Sequence, residues 1–137
     1  MWIFAGIVII GLILFAIDKE NQKRSPIDDR LAQLKKQKVI PFSFSVKGTA
    51  YRTKEEIAAA VSLNINDLLI LESEPNNPYD KNAIKVLTLQ GYLVGYVDKE
   101  HNQFILRQWG RILKCYVSSK IEGDIPYLYA TIDIDNA

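Results

Sequence analysis

The sequence predicts a mainly β fold with two short helices: a small, partly closed β-barrel, preceded by a single N-terminal transmembrane helix. Three observations predict it. Residues 2–17 form an unbroken run without a charge or a strong polar group. From Val39 onward, short alternating or continuous apolar runs are separated by clusters of Gly, Pro, Asn and Asp. Only two helix starts interrupt those runs, within a segment long enough for one domain of modest core. Six or so strands in so short a segment favour a barrel, because closure hides strand edges.

The apolar run, taken as an anchor over residues 1–18, would make roughly 24 Å of helix, slightly short of a hydrocarbon core of about 30 Å. Lys19 can snorkel at one end. A core helix of a soluble domain would show a polar face, and this run has none. A cleaved signal peptide would need basic residues before the run and a small-x-small cleavage site. Nothing basic precedes Trp2, and Phe15-Ala16-Ile17-Asp18 is a poor cleavage site. Lys19, Lys23 and Arg24 follow the run, so the positive-inside rule predicts a single-pass membrane protein with its C-terminal domain in the cytoplasm.

Residues 19–38 form a basic, partly helical connector. Ser25 can cap a helix, Pro26 suits its first position, and Asp28 falls three residues after the cap. Ile27, Leu31 and Leu34 then share one side. Lys35, Lys36 and Lys38 favour the negative end of the helix dipole, and Pro41 prevents much continuation. The predicted helix has about three turns. Its narrow apolar stripe is suited to its own domain, a bilayer surface or a second copy.

Residues 39–137 form the β domain. Val39 to Val46 alternates, with Phe42, Phe44 and Val46 on one face. Thr53-Lys54-Glu55-Glu56 has the form of a capping box before a short helix. Asp67 to Glu74 contains Leu68-Leu69-Ile70-Leu71, expected as a buried strand that Pro75 ends. A loop rich in Pro, Asn and Asp runs to Asn82. Ala83–Leu89 and Tyr92–Val97 flank Gln90-Gly91 as a hairpin. Asp98 is placed to cap a second helix carrying Phe104, Ile105 and Trp109, with Trp109 expected in the core. Ile112–Ile121, a turn at Glu122-Gly123-Asp124, and Tyr127–Ile134 close the sheet.

Charge is uneven along the chain. Between Asp18 and Lys38 there are seven lysines and arginines against four acids; from Val39 to the end there are ten against twelve. The basic excess beside the anchor fits membrane topology and lipid contact first, nucleic acid second. The single cysteine, Cys115, excludes a disulfide framework and a multi-cysteine zinc site, and its apolar setting favours an inert thiol. No phosphate-binding glycine loop, metal cluster or catalytic triad is evident, so an enzyme is not expected and no cofactor is implied. His101 stands alone and reads as a solvated helix residue. Glu72 and Glu74 read as exposed strand carboxylates.

The stretch from Glu74 to Val86, Glu-Pro-Asn-Asn-Pro-Tyr-Asp-Lys-Asn-Ala-Ile-Lys-Val, resembles the signature of the HIRAN domain. Upstream, Val46-Lys47-Gly48-Thr49-Ala50-Tyr51 is similar to a family strand ending in glycine and then an aromatic residue. Downstream, Gly91-Tyr92-Leu93-Val94-Gly95-Tyr96-Val97 is similar to a second glycine-bearing strand before a helix. The resemblance spans roughly Pro41 to Ile134. It implies an OB-like barrel and a non-enzymatic module that captures the 3′ end of single-stranded DNA, here tethered to a membrane through residues 1–18. The alternative is a membrane-anchored protein- or peptide-interaction domain using the same pocket.

A 3′ terminus offers a hydroxyl, a flat base and nearby phosphates. Asp80 can accept a hydrogen bond from the hydroxyl and would repel a 3′ phosphate. Tyr51 and Tyr79 can stack bases. Glycine at position 48 lets a phosphate approach the backbone, and Asn77 can bond a base edge or a phosphate. Lys99 sits where the family places a phosphate-contacting lysine; Lys81 is a second cation, and Tyr96 a further stacking ring. Plainer readings stand beside these. Asp80 and Asn77 suit a turn, Tyr79 can pack on the barrel end, Gly48 and Gly95 can serve tight strand geometry, and Lys99 can be a solvated helix-start lysine. DNA-capturing relatives carry a basic residue at the position of Ala50 and a histidine at that of Tyr96. Arg52 is a candidate replacement for the first charge. A DNA site predicts a positive lip of Lys47, Lys81, Lys85 and Lys99 around Asp80; a neutral or acidic rim favours a peptide.

Overall fold

The computed structural model of the chain describes residues 25–36 and 38–136. The expected span at residues 1–18 lies outside them, as does the basic cluster that follows it. Among the described residues, no helix is long and apolar enough to cross a membrane.

The connector helix α1 spans Pro26–Lys36. Ser25 Oγ accepts from the Asp28 amide at 3.0 Å, and the Ser25 amide donates to Asp28 Oδ2 at 3.4 Å. This reciprocal pair satisfies the start of the helix as expected.

The second unit contains strands β1 (Val39–Lys47), β2 (Leu68–Ser73), β3 (Ile84–Thr88), β4 (Leu93–Val97), β5 (Ile112–Ile121) and β6 (Tyr127–Asp135), with helices α2 (Lys54–Ser62) and α3 (Asn102–Arg107). Single 3-10 turns occupy Thr49–Tyr51 and Trp109–Arg111. The strands close a barrel in the order β1-β4-β3-β2-β5-β6, and every pairing is antiparallel. The barrel is therefore closed, not partly closed. Closure depends on the length of β1. Its first part pairs with β6 from Val39↔Asp135 to Ser45↔Tyr129, and its end pairs with β4 at Val46↔Val97 and Lys47↔Tyr96. Pro41 is tolerated because only β6 is paired to β1 at that level.

The inward side chains are Phe44, Val46, Leu69, Ile84, Val86, Val94, Val97, Cys115, Val117, Leu128, Ala130, Ile132 and Ile134, with Ala60, Leu63 and Ile105 from the helical segments. The alternation read from the sequence thus faces the core as expected. Three expectations need correction. Leu68–Leu71 is not a wholly buried strand: Leu69 is buried and Leu71 half-buried, while Leu68 and Ile70 are exposed. A closed antiparallel barrel has one interior, so adjacent residues cannot both point into it. Trp109 is not core. It sits partly exposed in a 3-10 turn beside a cavity of about 320 Å³ that Leu69, Leu71, Ile112 and Cys115 also line. Asp98 does not cap α3, which begins at Asn102. Its carboxylate turns instead to His101 Nδ1, and its carbonyl accepts from the His101 amide.

Local signals held elsewhere. Thr53 and Glu56 form the capping box of α2, each side chain accepting from the other's amide. The β3–β4 hairpin turns at Gly91, with φ +95°, where only glycine is unstrained. Cys115 is buried, and burial pushes its thiol up to about 12, which keeps it protonated and inert.

Candidate nucleic-acid interface

The loop between β2 and β3 is held by an internal network. Asn77 Oδ1 accepts from the amides of Tyr79 (2.8 Å) and Asp80 (3.0 Å), while its Nδ2 donates to Glu74 Oε1 at 2.6 Å. Asp80 Oδ1 accepts from the Asn82 amide at 2.9 Å, and the Asp80 carbonyl from the Ala83 amide at 3.0 Å. The Glu74 amide donates to the Ala83 carbonyl at 2.9 Å, closing the base of the loop. The turn roles of Asn77 and Asp80 are therefore both present. A carboxylate oxygen has more than one acceptor site, so a turn role leaves Asp80 able to meet a further donor.

Two residues that local reading underrated complete the bracing. Glu74 is a hub rather than a free strand carboxylate. It accepts from Asn77 and from the Tyr96 hydroxyl (3.0 Å), and pairs with Lys85 Nζ at 3.3 Å. Asn77 first, then Tyr96 and Lys85, hold its carboxyl below the ordinary value against the opposing effect of burial. Asn102, at the start of α3, is 3% exposed, and its Nδ2 donates to Asp80 Oδ2 at 2.8 Å. The signal for Asn102 was present in the sequence: it lies three residues before Ile105, on the same buried helix face, and a polar group there needs a partner.

Gly48 and Gly95 work together at the β1–β4 seam. Gly48, at φ +83°, turns the chain from β1 into the Thr49–Tyr51 turn. Thr49 is buried and donates from Oγ1 to the Val94 carbonyl at 2.8 Å. A Cβ at Gly95 would lie 2.6 Å from both the Lys47 carbonyl oxygen and Val46 Cγ1. The close crossing needs glycine there and fixes where Tyr51 emerges.

The rings and cations divide into two groups. Tyr51 and Tyr79 are 88% and 92% exposed, so neither ring packs on the barrel end. Lys81 and Lys99 are exposed, with no side-chain partner among the described residues. Tyr96 is committed: its ring is half-buried, its hydroxyl donates to Glu74, and burial followed by that bond raises its pKa. Lys85 is held by Glu74 and, at 3.9 Å, by Glu72. Arg52 Nε donates to Glu56 at 3.1 Å, which offsets the charge expected to replace a basic residue at position 50. Lys47 Nζ donates to the Tyr127 hydroxyl. Of the expected lip, Lys81 and Lys99 carry no ion pair to an acid among the described residues, and Lys85 is neutralised.

His101 is also more than a solvated helix residue. Its imidazole donates to Asp98 and stands edge-on to Phe42 at 5.3 Å. Asp98, Glu100 and His101 bring one potential ligand atom each within 4.8 Å of one another, a grouping the isolated reading of His101 missed.

The chain has relatives among known proteins. Over 65 residues the chain is 43% identical to the helicase-like transcription factor of Oryctolagus cuniculus, and over 84 residues 38% identical to that of Mus musculus. These segments are 47% and 59% of this chain but only 6% and 8% of those proteins. A crystal structure of the HIRAN domain of human HLTF matches with a TM-score of 0.52 at 28% identity, covering 70% of this chain and 77% of that one. A crystal structure of a protein from Lactobacillus plantarum shares the fold, with a TM-score of 0.54 at 24% identity over 72% of this chain and 98% of its own. The HIRAN domain family profile matches residues 41–124, more than half of the sequence, and the chain belongs to the HIRAN domain family.

Proposed function

We propose that this protein is a non-enzymatic module that captures single-stranded DNA ends bearing a 3′ hydroxyl, with its domain tethered at the cytoplasmic face of a membrane through residues 1–18. One observation carries the reading of the site. Asp80 is oriented from two sides, by the Asn82 amide and by the Asn102 side chain, within a loop that leaves the Tyr79 ring in solvent. A large, rigid ring held in solvent on a braced loop is already positioned to stack on a flat partner, and a base is such a partner. The braced carboxylate accepts the terminal hydroxyl and repels a terminal phosphate. Tyr51 supplies a second stacking surface, Lys81 and Lys99 meet phosphates, and Gly48 allows a phosphate near the backbone. Membership of the HIRAN family supports single-stranded DNA as the ligand.

The domain's own charge is slightly negative, so attraction to phosphate is local rather than general. With two lysines engaged, affinity should fall with salt at a log–log slope of only about −1.4, from roughly −0.7 per phosphate on a single strand. The test is titration of the full chain, in non-ionic detergent, with short oligonucleotides ending in 3′ hydroxyl or 3′ phosphate at two salt concentrations. The hydroxyl end should bind better. Asp80→Asn should erase that preference, and Tyr79→Ala should weaken binding by about 1–3 kcal/mol. No binding of either end tighter than about 100 μM at low salt would remove the DNA reading. For the tether, the chain should stay with membranes after alkaline carbonate washing; release into the supernatant refutes it.

A further inference from the structure

The outer face of the barrel carries rings and a cation that the terminal site leaves unused. On β6, Tyr127 and Tyr129 are two residues apart and share one face, opposite to the buried Leu128 and Ala130. Both rings are more than a third exposed, with centroids 5.4 Å apart and planes inclined by 33°. Lys47 Nζ lies 2.6 Å from the Tyr127 hydroxyl oxygen and 5.2 Å from the centre of that ring. Together these distances place the ammonium beyond the hydroxyl rather than above the centre of the ring. The hydrogen bond to Tyr127 also raises the pKa of Lys47, which keeps it charged.

This row is continuous with the terminal site. Lys47 stands in register opposite Tyr96, whose hydroxyl donates to Glu74 at the base of the Asp80 loop. On the other side of β1, Tyr129 stands opposite Ser45. A surface that binds an apolar partner would show rings without a cation among them. A single strand presents a base and a phosphate in each nucleotide, and therefore matches rings interleaved with a lysine.

We infer that the nucleotides adjoining a captured 3′ terminus cross β1 at Lys47 and run onto β6, where Tyr127 and Tyr129 stack bases and Lys47 meets the phosphate between them. The inference rests on the end-capture reading and extends it from a terminal pocket to a track several nucleotides long.

The test compares a 3′-hydroxyl dinucleotide with a six-nucleotide strand on the full chain in detergent. Lengthening should tighten binding at least about tenfold, within the range expected for one or two stacked bases. The double variant Tyr127→Ala/Tyr129→Ala should reduce that gain to less than about threefold while dinucleotide affinity is unchanged. Tyr127→Phe/Tyr129→Phe, which keeps both rings, should retain the gain, and unchanged dinucleotide affinity shows that the alanine pair is folded. Dinucleotide binding with no gain on lengthening, or with a gain that survives the alanine pair, overturns the track and leaves end capture intact. Binding of the longer strand alone, lost in the alanine pair, overturns the track as an extension of end capture and leaves only strand binding on β6. No binding at either length overturns both.

Discussion

Asn102→Ala removes one hydrogen bond from the carboxylate on which the proposed end recognition turns. Asn102 is buried, and its Nδ2 donates to Asp80 Oδ2 at 2.8 Å. A hydrogen bond to a charged group contributes about 1.5–3 kcal/mol, and truncating a buried side chain adds a small void. The expected loss is about 2–3 kcal/mol. For a domain of this size that corresponds to a fall in melting temperature of roughly 8–20 °C. Chemical denaturation of Asn102→Ala, Asp80→Ala and the double variant isolates the pair, with an expected coupling of about 1–2 kcal/mol. The same change frees the Asp80 carboxylate to rotate, so preference for a 3′ hydroxyl over a 3′ phosphate should fall. A loss under about 0.5 kcal/mol, strict additivity with Asp80→Ala, or undiminished end preference would refute the view that α3 orients the recognition loop.

Two further predictions concern the scaffold. Gly95→Ala places a Cβ 2.6 Å from a backbone carbonyl and from Val46 Cγ1. It should destabilise the domain by about 1–3 kcal/mol or more, measured by denaturation, because the β1–β4 seam must open to admit it. Acid should act through Glu74 and Glu56, both held below their ordinary value of 4.5, Glu74 chiefly by Asn77 and Glu56 chiefly by the Thr53 amide. A depressed folded pKa gives stability that is present above 4.5 and lost as pH falls through the folded value. The melting temperature should therefore drop below about pH 4.5, and Glu74→Gln should flatten part of that drop; an unchanged profile contradicts the assignment.

Much of the scaffold was legible because its signals are local. Ser25 with Asp28, and Thr53 with Glu56, are caps whose partners lie three residues away. The turn at Gly91 and the alternation in β5 and β6 likewise need only neighbouring residues. The candidate site was legible in its parts for the same reason: Asn77 and Asp80 bond backbone groups two or three residues on. Asp98 misled because two local bonds compete for one carboxylate. His101, within hydrogen-bond reach and packed against Phe42, took the side chain that the helix start would have used.

The sequence by itself determined most of the strands that supply the core, where the chain turns, and that the stretch from Pro75 to Asn82 forms one polar loop. Only the tertiary structure decided that the barrel closes, that Leu68 and Ile70 face outward, and that Tyr96 on β4 and Asn102 on α3 brace the loop, each bonding a carboxylate 22 residues earlier in sequence. Backbone preferences and caps are set within a few residues. Closure and a buried hydrogen bond between distant side chains depend on strand register, which is fixed only when the two faces of the sheet have been sorted between core and water.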